Sequence, residues 1–244
     1  MSTQDWIIET DGIKRGFDTP AGRFWALKGI TIRIPAGRFV ILKGRSGSGK
    51  TTLMNILNSL DDPTEGSVTF RGRFLKDLSQ RERENLRRKE MGFVFQSVSL
   101  IPSLNAIQNV EFSMRLAGLK INKENHARAE ECLKLVGLGN RMTHMSAEMS
   151  GGEQQRVAIA RAFAHHPGII FADEPTAELD SAMAAHVTEL FKEMTRKEGI
   201  TVLMTTHDVG LMGAADMTIE LSDGNLVEAR EHKEAQEPQE LSQQ

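Results

Sequence analysis

Residues 44–51 read Gly-Arg-Ser-Gly-Ser-Gly-Lys-Thr, and they stand between an apolar run at 39–42 and a segment of helical pattern that begins at Lys50. The apolar run predicts a short strand that is buried on both faces. The segment after the loop is apolar on one side, as an amphipathic helix is, at Leu53, Ile56, Leu57 and Leu60. A strand, a glycine-rich turn and a helix in this order predict a loop that binds phosphate.

The residue types of this loop explain how it would hold a nucleoside triphosphate. Glycines let backbone N–H groups curl around phosphate oxygens without side-chain clashes, and the helix N-terminus adds partial positive charge. Lys50 is expected to reach the β- and γ-phosphates, and the Thr51 hydroxyl to bind Mg²⁺. The residues predicted to contact the nucleotide here are Gly44, Arg45, Ser46, Gly47, Ser48, Gly49, Lys50, Thr51 and Thr52.

An acidic pair, Asp173-Glu174, follows a second apolar run at 169–172. In an open α/β sheet, ligands bind at the carboxyl ends of the strands, which is where this pair is predicted to lie. Asp173 is therefore expected to hold Mg²⁺ through water, and Glu174 to polarise an attacking water molecule. The alternative is an ordinary acidic turn ahead of Pro175.

The composition limits the class of protein. Of 244 residues, 39% are hydrophobic and 26% charged, which is typical of a soluble globular protein. A net charge of -3 argues against a nucleic-acid binder that relies on bulk basicity. The single cysteine, Cys132, excludes an intrachain disulfide and fits a reducing compartment. Neither a signal peptide nor a membrane helix is expected, so any work at a membrane would be done from the water side.

Strand and helix patterns alternate along the chain, which indicates a largely parallel α/β core. Further strands are expected at 91–95 and 200–205, and a terminal hairpin at 217–227. Helical periodicity dominates from 103 to 165, so an inserted helical subdomain is predicted at about 97–165.

Two charged stretches complete the domain prediction. The run at 81–90 predicts the exposed face of a helix. Residues 230–244 are charged, Gln-rich and nearly free of apolar residues, so they are predicted to be a disordered tail after a domain at 1–229.

A second glycine-rich helix start, residues 149–156, reads Met-Ser-Gly-Gly-Glu-Gln-Gln-Arg. With the phosphate loop before it and Asp173-Glu174 after it, this stretch resembles the signature motif of the ATP-binding cassette family, the nucleotide-binding subunits of ABC transporters. The resemblance covers about residues 6–227. It implies an α/β fold with an ABC-type P-loop ATPase core, a mostly parallel sheet, an N-terminal antiparallel β subdomain and an inserted α-helical subdomain.

The resemblance also implies catalytic roles. Gln96 is similar to the Q-loop glutamine, which contacts Mg²⁺ and the attacking water and relays to the membrane partner. His207 is similar to the switch histidine, which hydrogen-bonds the γ-phosphate and positions Glu174 and the water. The implied catalytic set is Glu174, His207 and Gln96, and the implied Mg²⁺ set is Thr51, Gln96 and Asp173.

Further nucleotide contacts are implied on both sides of a dimer. Ser150, Gly151 and Gly152 would face the γ-phosphate that the opposite subunit binds, and Glu153 is included among the predicted nucleotide-binding residues. Asp180 resembles the D-loop aspartate that communicates across the dimer. Phe17 has the position of the aromatic residue that stacks on adenine, with an ordinary core or edge aromatic as the alternative.

This chain departs from the usual pattern at a few positions. Met149 stands where Leu is usual, Glu153 where Gln is common, and Phe17 where Tyr is usual. Ala177-Glu178 replaces a more usual Gly-containing pair. None of these changes removes a catalytic group, so the chain is expected to hydrolyse ATP.

Within the family, residues 86–96, 100–110 and the run from Gly152 resemble the branch of lipoprotein-release, MacB-like and FtsE-like ATPases. The resemblance implies a cytoplasmic subunit, peripheral on the inner face of the cell membrane, that pairs with a second copy around two ATP and Mg²⁺. It would drive a separate transmembrane permease, for export or mechanotransmission of the MacB-like type, and would bind no nucleic acid. The candidate permease contacts are Val98, Leu100 and Ile101, with packing inside the subdomain as the alternative.

Other functions remain open. They are the ATPase of an FtsE-like regulatory complex, the ATPase of an amino-acid-type importer, and a non-transport ATPase of the same family. A single cassette without a long coiled coil or zinc module disfavours the last of these.

Overall fold

The computed structural model describes residues 5–20, 22–97, 99–177, 179–206 and 209–232, and the backbone alone at 209. The described strands are β1 (Trp6–Thr19), β2 (Gly22–Ile30), β3 (Arg33–Pro35), β4 (Phe39–Lys43), β5 (Glu65–Phe70), β6 (Arg73–Phe74), β7 (Met91–Val94), β8 (Ile169–Asp173), β9 (Thr201–Thr205), β10 (Met217–Ser222) and β11 (Asn225–Glu231). The described α-helices are α1 (Lys50–Leu57), α2 (Gln80–Glu90), α3 (Ala106–Leu116), α4 (Lys123–Leu135), α5 (Gly151–Phe163) and α6 (Ser181–Glu198).

A mostly parallel sheet forms the centre of the molecule, with the strand order β11-β10-β4-β9-β8-β7. From β10 to β7 all neighbouring strands run parallel, and β10 pairs with β11 in an antiparallel hairpin. Successive side chains of β4 lie on opposite faces of the sheet and pack in two different hydrophobic cores. Phe39 and Ile41 pack with α3 to α6, whereas Val40 and Leu42 pack with α1 and the N-terminal strands. The prediction of a strand buried on both faces is therefore confirmed.

A second, antiparallel sheet covers one face of the central sheet. Its strand order is β2-β1-β5-β6, and β3 pairs with β1. Apolar residues of this sheet, such as Ile8, Leu27 and Phe70, share a core with Leu53 and Leu57 of α1. The N-terminal antiparallel β subdomain that the resemblance implied is thus present.

Helices α3, α4 and α5 pack on the opposite face and at the β7 edge. Ala129, Cys132 and Leu133 of α4 are completely buried and form the face of the helix that packs in the core. Asn105 and Ser150 begin α3 and α5 with reciprocal capping hydrogen bonds, which satisfy backbone N–H groups at the helix starts. The limits of the helical subdomain, about 97–165, stay a prediction.

Two local predictions differ from the structure. Leu60 does not belong to the buried face of α1, because the helix ends at Leu57 and the left-handed backbone of Ser59 turns the chain, leaving Leu60 50% exposed. The predicted tail begins too early, because β11 continues to Glu231, where it pairs with Met217. The rest of the tail, 233–244, lies outside the described residues.

Candidate functional site

The phosphate loop joins β4 to α1 in the predicted strand–loop–helix context. Gly49 caps α1 in the left-handed region at φ +102°. A Cβ atom at this position would lie 2.7 Å from the backbone oxygen of Ala26, so glycine is required for both conformation and space. Arg45, Ser46 and Gly47 are exposed at the tip of the loop, where a ligand can reach them.

Lys50 and Ser48 fix the loop from inside. The Lys50 ammonium donates hydrogen bonds to the carbonyls of Gly44 (2.8 Å) and Arg45 (3.2 Å), so its charge lies within the curl of the loop. The buried Ser48 accepts a backbone hydrogen bond from Gly224 in the β10–β11 turn. The terminal hairpin therefore supports the phosphate loop.

Asp173 lies at the carboxyl end of β8, as predicted, and it contacts the phosphate loop. The Thr51 hydroxyl, at the start of α1, donates to one Asp173 carboxylate oxygen at 3.4 Å. The other carboxylate oxygen accepts a hydrogen bond of 2.6 Å from the Thr205 hydroxyl, at the end of β9. Thr52, the next residue of α1, is half-buried. The structure thus brings together Thr51 and Asp173, two of the three predicted Mg²⁺ ligands.

Thr205 is a residue of this site that sequence reasoning missed. Its hydroxyl accepts a hydrogen bond of 2.8 Å from the backbone N–H of Glu174 while it donates to Asp173. The parallel register pairs Thr205 directly with Asp173, which explains how one hydroxyl serves both acidic residues. The available signal was a threonine directly after the apolar residues Val202, Leu203 and Met204 of a buried strand.

Glu174 has a left-handed backbone, with φ +45°, which is uncommon for a residue other than glycine. Such conformations persist where surrounding contacts hold them, and the hydrogen bond to Thr205 is one of these contacts. Gln96 is exposed and lies two residues beyond Val94, which pairs with Ala172. Gln96 and Glu174 therefore extend equally far beyond neighbouring strands, whose spacing is about 4.8 Å.

Ser150 begins α5 and lies at the exposed helix tip, while its contact with an anion stays a prediction. Its hydroxyl accepts from the backbone N–H of Glu153 and donates to the Glu153 carboxylate at 3.0 Å. Gly151 is exposed, and a Cβ atom there would meet open space. Gly151 therefore presents the backbone of a helix N-terminus, which carries partial positive charge.

Glu153 adds a negative charge to this helix tip. Hydrogen bonds from the backbone and then the hydroxyl of Ser150 lower the pKa of Glu153, which keeps the carboxylate ionised. The guanidinium of Arg141 lies 3.4 Å from the same carboxylate. The charge of Glu153 is thus partly balanced within the chain.

The remaining predicted site residues have mixed outcomes. Asp180 caps α6 by accepting a hydrogen bond of 3.0 Å from the Met183 N–H, so it has a structural role beside the predicted dimer contact.

Phe17 is 41% exposed on β1, opposite Phe24, which excludes a core position. The Arg15 guanidinium lies 4.8 Å from the Phe17 ring centroid. His207 lies outside the described residues, and its role stays a prediction.

An apolar groove opens beside Gln96, between α2, α3, β7 and α5. Its cavity volume is about 290 Å³, and its apolar lining includes Leu60, Phe93, Phe95, Phe112 and Leu116. Of the predicted permease contacts, Leu100 packs partly buried against the core, as the alternative stated, and Val98 lies outside the described residues. Ile101 is half-buried, and its backbone hydrogen-bonds Asn109. The most exposed apolar side chains of this region therefore belong to the groove.

Two titratable groups that line the groove, Arg161 and His165, are partly buried. Burial lowers the pKa of Arg161, whose guanidinium donates to the Ser99 carbonyl at 2.7 Å. Burial also lowers the pKa of His165 to about 4, so its imidazole is neutral at physiological pH.

The fold and the site together define a P-loop ATPase. Residues 27–177 match the family model described as ABC transporter. An ABC transporter ATP-binding protein of Methanocaldococcus jannaschii is 44% identical over 222 residues, which cover 91% of this chain and 98% of that protein. The protein YbbA of Escherichia coli K12, of the same description, is 40% identical over 222 residues, covering 91% of this chain and 97% of its own length.

Two other comparisons extend the assignment. The macrolide export ATP-binding/permease protein MacB of Marinobacter nauticus is 45% identical over 222 residues, and this chain spans 34% of that longer protein. A dimeric structure of the ATP-binding cassette MJ0796, in a post-hydrolysis state bound to ADP and Pi, superposes with a TM-score of 0.86. Its sequence identity is 38%, covering 92% of this chain and 98% of that one. The chain belongs to the ABC transporter family, as an ATP-binding cassette that hydrolyses ATP.

Among the described residues, no helix combines the length and apolar character needed to span a bilayer.

Proposed function

We propose that this chain is the ATPase subunit of a membrane complex, which dimerises around two ATP molecules and drives a separate permease in export or mechanotransmission of the MacB-like type. One observation carries the proposal. Hydrogen bonds join Thr51, Asp173, Thr205 and the backbone of Glu174 into one continuous set at the carboxyl edge of the central sheet. A phosphate loop, a metal-binding carboxylate and a water-orienting carboxylate are the parts that phosphoryl transfer requires.

The oxygen groups near the phosphate loop fit Mg²⁺. This ion takes one or two protein oxygens and completes its shell with water and phosphate oxygens, which matches the Thr51 hydroxyl and the Asp173 carboxylate. Gln96, at the end of the neighbouring strand, would supply a third oxygen. When bound, Mg²⁺ neutralises charge on the β- and γ-phosphates.

The chain's own groups would divide the remaining work. Lys50 would exchange the carbonyls of Gly44 and Arg45 for the β- and γ-phosphates. Glu174 would orient the attacking water, with His207 in the role of the γ-phosphate contact. Phe17, exposed on β1, offers a ring face to adenine.

The second nucleotide-binding surface, at Ser150–Glu153, is proposed to act on the ATP of the partner copy. In the central sheet, β4 and β7 are separated by β9 and β8, which amounts to about 14 Å for three strand spacings. Because α5 packs beside β7, its tip is proposed to bind a different nucleotide from the one bound by the loop after β4. An exposed helix N-terminus with a free approach suits an anion presented by another molecule. The dimeric MJ0796 structures support the pairing of two copies that this arrangement requires.

The apolar groove is proposed to receive a cytoplasmic segment of the permease. The groove includes Phe95, directly before Gln96, so an occupant would contact the chain next to a predicted catalytic residue. Phe112 and Leu116 expose apolar surface there, while Arg87 and Arg88 add positive charge. A short helix with apolar residues and an acidic residue would complement this surface. Binding there would place the subunit in the cytoplasm, on the inner face of the membrane.

The MacB-like assignment is supported by relatives named macrolide export proteins, which are 40–45% identical to this chain. An FtsE-like regulatory complex and an amino-acid-type importer are the competing assignments. These complexes differ in their permease subunits, because selectivity for the transported substrate resides in the permease rather than in the ATP-binding cassette.

Identifying the permease that co-purifies with the tagged chain from its native membrane tests the assignment. We expect a partner with four membrane helices and a large extracytoplasmic domain. A partner with five or more helices, a solute cavity and a binding protein would overturn the MacB-like assignment in favour of import.

A further inference from the structure

Gln155 lies on α5, five residues after Ser150, and its side chain is completely buried. Its amide nitrogen donates a hydrogen bond of 3.1 Å to the Pro175 carbonyl and makes a longer contact of 3.5 Å with the Phe95 carbonyl. Pro175 follows Glu174 directly, and Phe95 precedes Gln96 directly. A single amide group therefore contacts both loops that carry the predicted water-contacting residues.

The other end of this amide is unsatisfied. Among the described residues, the buried Oε1 atom of Gln155 has no hydrogen-bond partner. A buried unpaired acceptor destabilises a folded protein, and an apolar side chain of similar size would avoid this loss. Packing alone therefore does not explain a glutamine at this position, whereas the two carbonyl contacts do.

We propose that Gln155 is a positioning residue for ATP hydrolysis, which holds the loop of Gln96 and the loop of Glu174 in register with each other. The inference rests on the proposed roles of those two residues. Its amide acts through the backbone and does not touch the reacting atoms. Because Gln155 lies on the helix whose tip would meet the partner's ATP, movement of α5 would be passed to both loops at once.

Gln155→Met provides the direct test, since methionine keeps the volume and removes the donor. Misplacement of reacting groups by about 1 Å can slow a reaction a hundredfold, so we expect kcat for ATP hydrolysis to fall about tenfold to a hundredfold. KM for Mg-ATP should change less than about threefold, because the phosphate loop keeps its own contacts.

Asn109→Leu is the matched control. Asn109 is also a completely buried amide on a helix of the same region, and it donates to the carbonyls of Ile101, Leu104 and Asn105. It contacts neither catalytic loop in these hydrogen bonds, so its loss should lower thermal stability and leave kcat near the wild-type value. A fall in kcat for Gln155→Met no larger than that of Asn109→Leu would overturn the proposal.

Hydrogen–deuterium exchange gives a readout that does not depend on hydrolysis. In Gln155→Met, amides at 95–97 and 176–177 should exchange about tenfold faster, while those at 44–51 keep the wild-type rate. A wild-type kcat in this variant overturns the proposal whatever the exchange result. If the wild-type chain itself fails to hydrolyse ATP, the proposed function fails, and unchanged exchange in both loops would separately refute the link through Gln155.

Discussion

At the scale of single residues, one hydroxyl connects the two acidic groups on which the proposed chemistry depends. Thr205 donates to the Asp173 carboxylate and accepts from the Glu174 backbone, and it is completely buried. The contact with Glu174 helps to hold a left-handed backbone at the residue proposed to orient water. Thr205 therefore links the two acidic residues through a single side chain.

Replacing Thr205 with valine keeps the side-chain shape and removes both hydrogen bonds. An unpaired buried group costs about 1–3 kcal/mol, so we expect a lower thermal midpoint and a kcat reduced about tenfold or more. Thr205→Ser, which retains the hydroxyl, should keep most of the activity. Steady-state ATPase kinetics of both variants provide the check, and equal kcat values for valine and serine would rule out this role.

The sequence predicts the residues of the phosphate loop because their chemistry is contained in one short segment. Gly49, Lys50 and Thr51 are recognisable from spacing and from the strand and helix around them. Thr205 and Gln155 are not, since their roles arise from contacts to residues 32 and 20 positions away in the chain. Such contacts depend on strand register and helix packing, which residue types alone do not specify.

At the scale of elements, helix and strand identities follow from periodicity, while their ends depend on local geometry. Gly199 ends α6 in the left-handed conformation, as a C-terminal glycine predicts. Ser59 adopts a similar conformation at the end of α1 without being a glycine, so the exposure of Leu60 could not be predicted. That leucine instead lines the apolar groove.

The groove offers a test of the proposed coupling between this chain and a permease. Phe112 is exposed on α3 within the groove, and Phe112→Asp introduces a charge there that an apolar partner segment must desolvate. We expect loss of permease co-purification with basal ATPase activity unchanged. The matched control is Phe74→Asp, which alters an aromatic residue of 46% exposure on the antiparallel sheet, and this variant should still bind. Retention of the permease by Phe112→Asp would exclude the groove as the contact.

At the scale of the whole molecule, the two surfaces proposed to bind phosphate are associated with different strands of the central sheet. The phosphate loop follows β4, whereas α5 packs beside β7, at the other end of the strand order β4-β9-β8-β7. Alternating strand and helix patterns predict the parallel sheet, but strand order depends on long-range pairing that periodicity does not contain. We therefore infer the dimer from the family and the geometry together, and the proposed function requires it.

Trapping the ATP-bound state tests this central inference most directly. Glu174→Gln removes the carboxylate that would orient water and leaves the Lys50 loop intact, so bound ATP should persist between two copies. With saturating Mg-ATP, size-exclusion chromatography with light scattering should show a dimer for Glu174→Gln and a monomer for Lys50→Ala, which loses its phosphate contact. A Glu174→Gln protein that binds ATP and remains monomeric would contradict the account.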